Sequence, residues 1–171
     1  MTDDRASVIG SGRHAPHPRE SEPRQPQTVT PPDSTGTTTI SASGFDHVNL
    51  HCRDIERSIQ FYTNVLHLPL CRCDRNEHGD VTFVSVQVGP AIVDLMPRPH
   101  YEPRPVEQEG VNHFALEIAP CDADALAAQL RAQGVDVYEG PVERLGARGM
   151  GTALYLRDPD GHGIELKQYA S

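Results

Sequence analysis

The sequence predicts an α+β fold built from two successive βαβββ units. Two observations predict it: the order strand, helix and three strands occurs twice, and residues of the first unit recur in the second at a nearly constant offset. The offsets are 66 residues for His47 and His113, 68 for Asp54 and Asp122, and 71 for Asp94 and Glu165. Such a repeat predicts two copies of one unit related by a pseudo-twofold axis.

The first unit is predicted over about residues 45–97. Residues 45–52 alternate between polar and apolar side chains, which is typical of a strand with one buried face. Asp54 stands at the N-cap position of a helix with an apolar stripe formed by Ile55, Ile59, Tyr62 and Leu66. Strands follow over residues 68–73, 82–88 and 91–96, with turns at 78–80 and 89–90.

The second unit is predicted over about residues 112–169. It begins with a strand over residues 112–118 and a helix that runs from the cap Asp122 to Gly134. A short strand at 135–138, a Gly-rich loop at 139–151 and a hairpin of strands 152–156 and 164–168 complete it. Residues 98–111, with three prolines and no hydrophobic period, are predicted to be a linker.

Residues 1–42 differ in composition from the rest of the chain. They hold six of the fifteen prolines and none of the nine Phe and Tyr residues, so we expect a disordered tail followed by one domain over residues 43–171. The tail has no apolar run of the kind found in secretory signals or anchors. Nor does any other stretch approach the ~20 apolar residues of a membrane helix, so we expect no membrane association.

The charge and the cysteines limit which kinds of partner and which cellular compartment we expect. The net charge is −9, and residues 43–171 carry 19 acidic against 11 basic side chains, which argues against nucleic acid and leaves a small-molecule substrate. The four cysteines lack C-x-x-C spacing and the context of a small secreted domain. We therefore expect reduced thiols and a cytoplasmic location.

Four polar residues occupy equivalent positions in the two units: His47 and Asp94 in the first, His113 and Glu165 in the second. Their apolar strand neighbours point the opposite way, towards the helices, so the four share the other sheet face. Equivalent positions meet near a pseudo-twofold axis, and we expect these four to converge. Two imidazoles with one or two carboxylates suit a divalent transition metal, whereas a single histidine on a strand is more often simply solvated.

The motifs FDHVNLHCRDIERSIQFYTNVLHLPL, GVNHFALEI and LYLRDPDGHGIEL resemble the vicinal oxygen chelate superfamily, which includes glyoxalase I, fosfomycin and bleomycin resistance proteins and extradiol dioxygenases. The resemblance covers residues 45–169, and the C-terminal part is most similar to the glyoxalase-domain-containing protein 5 group. It implies that the paired units form an open mixed-sheet barrel around a metal. It also implies a homodimer, with the site within one chain or between chains.

The resemblance also implies roles for single residues. His47, His113 and Glu165 match the ligand positions of a divalent ion such as Zn, Ni, Mn or Fe, and Asp94 stands where some members have a fourth ligand. Glu165 is the first candidate for a catalytic base and Asp94 the second. Glyoxalase I usually carries Arg and Asn where this chain has His51 and Arg98, which argues against glutathione as the thiol.

Three side chains are candidate substrate contacts. His51 lies on the strand face of His47, Arg98 suits an anionic group, and Arg148 lies in the Gly-rich loop, which we expect to form a flap over the pocket.

We therefore expect a metal-dependent lyase or isomerase of glyoxalase type, which chelates a substrate through vicinal oxygens and stabilises an enediolate-like anion. The alternative is a resistance or binding protein of the fosfomycin or bleomycin type. A third hypothesis is an extradiol-type dioxygenase, although many such enzymes contain two full domains.

Overall fold

Two four-stranded mixed sheets, one from each predicted unit, form the framework of the domain. The computed structural model describes residues 40–105, 108 and 110–170. Of the tail predicted to be disordered, residues 1–39 lie outside the described part. No helix within the described residues is long and apolar enough to span a bilayer.

The first unit contains β1 (His47–Cys52), α1 (Ile55–Gln60) with a π-helical continuation (Phe61–Val65), β2 (Leu70–Arg75), β3 (Val81–Val88) and β4 (Ala91–Pro97). The second contains β5 (Phe114–Glu117), α2 (Ala123–Ala132), β6 (Asp136–Gly146), β7 (Gly149–Arg157) and β8 (Gly163–Gln168). The sheet orders are β1-β4-β3-β2 and β5-β8-β7-β6. The predicted α+β fold with two βαβββ units is confirmed.

Both helices begin at the predicted caps. The Asp54 carboxylate accepts a hydrogen bond from the Arg57 backbone N–H at 3.1 Å, and Asp122 accepts one from Ala125 at 3.0 Å. At the end of α2, Gly134 has a φ of +80°, the left-handed conformation that glycine adopts without steric cost.

The same register recurs in the two sheets. β1 runs parallel to β4 with Asn49 opposite Asp94, and β5 runs parallel to β8 with Ala115 opposite Glu165. Each candidate histidine stands two residues before the residue that faces the acid. The repeat read from the sequence is therefore a repeat of strand pairing.

The apolar strand faces and the helices share one core. The fully buried side chains include Val84, Leu95, Leu156 and Ile164 from the strands and Tyr62 from the helical segment after α1. Burial of this apolar surface is the main stabilising contribution, and it leaves the opposite face of each sheet to polar residues.

The turn between β7 and β8 ties the second unit to the first. Asp158 accepts a hydrogen bond from the Tyr62 hydroxyl at 2.9 Å, and Asp160 accepts one from the Ser58 hydroxyl at 2.9 Å. Asp160 also accepts from the backbone N–H of Arg53 at 3.0 Å. We call this set of residues the interunit brace. The sequence predicted the turn between β7 and β8, but it did not predict that the turn would bond to the first unit.

The Gly-rich loop predicted at 139–151 is wrong, because β6 continues to Gly146 and β7 starts at Gly149. The pairing passes Gly140 through register shifts, so a stretch that resembles a loop in sequence still joins the sheet. Gly140 has a φ of +99°, and a Cβ there would lie 2.4 Å from the Ala153 carbonyl oxygen. Only glycine fits this position.

Candidate metal centre

The parallel strands of the second unit bring one histidine against one carboxylate. His113 directly precedes β5 and Glu165 lies in β8, and His113 Nε2 is 3.0 Å from Glu165 Oε2. The Glu165 side chain is 10% exposed and that of His113 30% exposed, so the pair is shielded but still accessible. We call these two residues the second half-site.

Asn112, the residue before His113, fixes the orientation and the tautomer of the His113 imidazole ring. His113 Nδ1 lies 2.7 Å from Asn112 Oδ1. An amide oxygen only accepts hydrogen bonds, so Nδ1 donates, and the neutral ring carries its lone pair on Nε2. Two lone pairs, on Nε2 and on Glu165 Oε2, then face each other. A proton or a metal cation between them satisfies both atoms.

Lys167 and Tyr155 surround the Glu165 carboxylate. Lys167 Nζ is 3.6 Å from Glu165 Oε1 and donates a 2.5 Å hydrogen bond to the Arg144 carbonyl. The Tyr155 ring lies edge-on to His113, with centroids 5.2 Å apart. Burial, followed by the negative charge of Glu165, raises the pKa of Tyr155 above its usual value. Tyr155 therefore remains a neutral phenol beside the pair at neutral pH.

The first unit repeats this design. His47 Nδ1 is 2.6 Å from Asp46 Oδ1, and the buried Asp94 accepts a 2.6 Å hydrogen bond from the Ser85 hydroxyl. The hydrogen bond to Asp46 raises the pKa of His47, with smaller contributions from the charges of Asp46 and Asp94 and a partial offset from desolvation. We call His47 and Asp94 the first half-site.

Within the described residues, the two half-sites do not form a single metal-binding group. The described residues contain no group of three or more His, Cys, Asp or Glu side chains that could hold a metal ion. The second sheet brings His113 against Glu165, whereas in the first sheet the charge of Asp94 acts on His47 without a direct contact between their side chains. No hydrogen-bonded strand pair joins the two described sheets. The expected convergence of all four residues is thus not seen as one metal-binding group in the described chain, and their convergence between chains stays a prediction.

The three predicted substrate contacts lie in two places. His51 and Arg98 line one shallow groove together with Tyr101. Arg148 lies in the turn of the β6–β7 hairpin, where it forms an ion pair with Glu117 and lies 5.0 Å above the Tyr169 ring. A residue held by these two contacts does not form the expected flap over the His113–Glu165 pair.

Residues 44–166 match the model of the Glyoxalase/Bleomycin resistance protein/Dioxygenase superfamily. The chain belongs to this superfamily. The family prediction made from the sequence motifs is confirmed, whereas the narrower similarity to the glyoxalase-domain-containing protein 5 group stays a prediction.

Several superfamily members resemble the chain over most of its length. The glyoxalase domain-containing protein RDO1 of Mycosarcoma maydis is 31% identical over 132 residues, which span 76% of this chain and 70% of RDO1. A lactoylglutathione lyase of Salmonella typhimurium is 31% identical over 126 residues, 70% of this chain and 88% of the lyase. The crystal structure of virulence protein STM3117 from Salmonella typhimurium has 26% identity and a TM-score of 0.54, covering 77% of this chain and 100% of that protein.

Other superfamily relatives are named a metallothiol transferase and a catechol-2,3-dioxygenase. The superfamily thus includes enzymes with several different reactions, and membership alone does not choose among them.

Sequence reasoning missed several residues of this superfamily member that surround the half-sites. Asp46 and Asn112 could have been found from the sequence, because they occupy equivalent positions directly before the two histidines. Lys167 could also have been found, because it lies two residues after Glu165 on the same strand face. Ser85 and Tyr155 could not, since their contacts come from neighbouring strands whose pairing only the fold defines.

Proposed function

We propose that the protein is a metal-dependent enzyme of glyoxalase type, a lyase or isomerase that acts on a small molecule with vicinal oxygens. His47, His113 and Glu165 would hold a divalent ion. The observation that carries the proposal is the facing of His113 Nε2 and Glu165 Oε2 at 3.0 Å, with Nδ1 of His113 fixed by Asn112. The same orientation of His47 by Asp46 supports it. Two imidazoles and a carboxylate match the donor preference of transition metals.

The proposed metal centre forms between two copies of the chain. One half-site supplies two donors, whereas a stable metal site takes three or more protein ligands. In a twofold-symmetric homodimer, the first half-site of one copy faces the second half-site of the other, which gives two equal sites. Apolar side chains of Phe45, Leu145 and Met150 are 69%, 75% and 59% exposed, and a second copy would cover such surface.

When bound, a divalent ion supplies Lewis-acid stabilisation of negative charge on the substrate oxygens. Asp46 and Asn112 engage Nδ1 of the two histidines, which would leave the Nε2 atoms to hold the ion, and Lys167 restrains Oε1 of Glu165. Glu165 is the first proposed base. Asp94 is the second, because Ser85 engages its Oδ1 and leaves Oδ2 able to accept a substrate proton.

The proposed substrate contacts are His51 and Arg98, which share one groove. Arg148 would join them only after it leaves its ion pair with Glu117. The four cysteines are free thiols, so a reducing compartment, the cytoplasm, is the proposed location.

The decisive experiment pairs His47→Ala with Glu165→Ala. The two variants are co-expressed with different tags, and the heterodimer is isolated and titrated with Zn, Ni, Mn and Fe. One site of the heterodimer then lacks both residues and the other retains both. We expect two ions per wild-type dimer, none in either homodimeric variant and one per heterodimer.

Two outcomes would overturn the proposal. If the wild-type protein binds no metal, the proposed metal centre is refuted. A heterodimer that binds no metal would contradict an intersubunit site. His78→Ala is the matched control, since His78 is an exposed histidine in the turn before β3 and should leave both ions bound.

A second candidate is metal-dependent resistance to a small toxic compound, because the superfamily model that the chain matches includes bleomycin resistance proteins. The metal-loaded protein should be assayed with methylglyoxal and a panel of thiols, and cells that express it should be tested for fosfomycin and bleomycin susceptibility. Loss of methylglyoxal without altered susceptibility favours the first candidate. For the catechol-2,3-dioxygenase relative, the matched region covers only 39% of that protein, which makes ring cleavage the weakest of the three hypotheses.

A further inference from the structure

A cavity of about 330 Å³ lies beneath the linker, apart from the Glu165 carboxylate. We call it the linker cavity. Residues of β1, the start of β5, the turn before β8 and the linker form its walls. His113 of the second half-site is one of the lining residues, and Glu165 is not. Its volume is at the lower end of small-molecule sites, which hold ligands in roughly 300–1,000 Å³.

His162 forms one polar wall of the linker cavity. Its Nδ1 lies 2.8 Å from Asp158 Oδ2, and Asp158 also accepts from the Tyr62 hydroxyl at 2.9 Å. The Asp158 side chain is fully buried, and the backbone N–H groups of Asp160 and His162 donate to its other oxygen. Because a carboxylate only accepts, His162 donates from Nδ1.

The far edge of the His162 ring carries Nε2 and lies on the cavity side, away from Asp158. Within the described part of the chain, no residue forms a hydrogen bond with this Nε2. The imidazole is thus held rigidly at one nitrogen, while the other is available to a ligand. This is the arrangement that preorganised binding requires.

Aromatic rings and one guanidinium extend this polar wall. The Tyr101 ring stacks on His162 with centroids 5.5 Å apart and an interplanar angle of 9°, and His51 meets the same Tyr101 ring edge-on at 5.7 Å. Arg104 also lines the linker cavity and forms no ion pair with the described residues. The opposite wall is apolar, with side chains of Val48, Leu50, Pro103, Val111 and Phe114.

The charge of this lining is opposite to that of the whole protein. The chain has a net charge of −9, yet the described residues that line the linker cavity include no carboxylate. A basic lining in an acidic protein selects an anion by attraction inside the cavity and repulsion elsewhere.

We propose that the linker cavity is a second binding site, which takes a small organic acid: one carboxylate on a compact apolar or aromatic body. The carboxylate pairs with the Arg104 guanidinium, and the Nε2 edge of His162 lies on the same polar wall. The body packs against Val48, Leu50 and Phe114. The site borders the proposed metal centre, because His113 of the second half-site also lines the cavity, but it does not include Glu165.

Benzoate is the probe, followed by calorimetry and by the backbone NMR signals of metal-free protein. Benzamide is the matched neutral probe. We expect one benzoate per chain, shifts confined to residues around the cavity, and benzamide weaker by at least about tenfold because it lacks the charge.

Two variants test the polar wall. Arg104→Gln removes the cation from an exposed side chain, and His162→Asn removes Nε2 but keeps an N–H donor for Asp158. Each should weaken benzoate binding at least about fivefold. Arg57→Gln is the control, because Arg57 is an exposed arginine on α1 outside the cavity. This variant should keep a benzoate affinity within about twofold of that of the wild-type protein. Equal affinity of all three variants and the wild-type protein, or no benzoate binding, overturns the proposal.

Glu165→Gln separates this site from the metal centre. The variant should bind benzoate as the wild-type protein does even when it no longer binds metal. Benzoate binding that disappears together with metal binding would place the acid at the metal centre and overturn the second site. Retained benzoate binding by a protein that binds no metal would leave this inference standing while the proposed function fails.

Discussion

At the scale of single residues, the orientation of His47 and His113 depends on their preceding neighbours. Asp46 and Asn112 each hold a histidine through Nδ1, at 2.6 and 2.7 Å. Since metal ligands need a fixed tautomer and ring direction, these short side chains determine where Nε2 points. The chain uses a carboxylate in one unit and an amide in the other, so the shared requirement is a hydrogen-bond acceptor and not a charge.

This requirement can be tested at Asp46. Asp46→Ala removes the acceptor and should lower metal affinity about 10–100-fold, whereas Asp46→Asn keeps an acceptor, as Asn112 does, and should lower it much less. Metal titration by calorimetry measures both, and circular dichroism checks that the fold is intact. Equal losses for the two variants would contradict a purely orienting role and indicate that charge matters.

A second residue-scale prediction concerns Cys52. Burial raises the pKa of this thiol from 9.0 to about 12. The folded state therefore retains a proton that the unfolded state loses, and the stabilisation present below pH 9 is lost as the pH rises towards 12. We expect the free energy of unfolding to fall over this window, by at most about 1.4 kcal/mol per pH unit for one group.

Urea unfolding of Cys52→Ala and the wild-type protein between pH 8 and 11 measures this effect. The variant should show a shallower decline that begins nearer pH 10, where Tyr62, whose pKa is also raised by burial, starts to contribute. Cys73→Ala, at an exposed cysteine, is the control and should follow the wild-type curve. Parallel curves for all three proteins would refute the role of Cys52.

At the scale of elements, the interunit brace connects the turn before β8 to α1 and the segment after it. Tyr62 is fully buried and donates to Asp158, which is itself buried and ionisable. Loss of one donor to a buried carboxylate leaves part of its desolvation cost uncompensated.

Tyr62→Phe removes that donor without changing the ring. We expect a loss of about 1–3 kcal/mol in the free energy of unfolding, measured by urea denaturation. Thr63→Val is the neighbouring control, because the Thr63 hydroxyl bonds only within its own segment, to Ile59 O and Asn64, and the change should cost less than about 1 kcal/mol. A Tyr62→Phe protein as stable as the wild type would show that the brace adds no stability.

Local sequence patterns predicted most of the helices and strands, but not where all of them begin and end. The alternation of β1 and the caps Asp54 and Asp122 depend on neighbours in sequence, and the structure has them as expected. The extension of β6 through Gly140 depends on a bulge against β7, a long-range pairing with no periodic signal. Its sequence is typical of a loop, and tertiary structure overrides that preference.

At the scale of the whole molecule, the half-sites link metal binding to assembly. The repeat predicted which residues pair within a unit, since register follows from strand order. It did not predict whether the two units face each other within a chain, because contacts between sheets leave no period in the sequence. The pairing of His113 with Glu165 was therefore foreseeable, whereas the absence of a single metal-binding group among the described residues was not.

If donors from two copies share an ion, metal and dimerisation stabilise each other. Sedimentation velocity on a dilution series should show more dimer with Zn than with EDTA, and His113→Ala should abolish the difference. His78→Ala should behave as the wild-type protein does. A monomer that binds one ion tightly at high dilution would contradict the proposed intersubunit centre.

The interunit brace also makes the two halves of the repeat unequal. Asp158 and Asp160 have no counterparts in the short Gly89-Pro90 turn between β3 and β4, although the two turns occupy equivalent places in the repeat. A buried carboxylate is a liability until a neighbouring unit offers it donors. In this chain Tyr62, Ser58 and the Arg53 backbone of the first unit supply those donors. The second unit expressed alone would therefore keep two carboxylates without these partners, and the two units are not interchangeable copies.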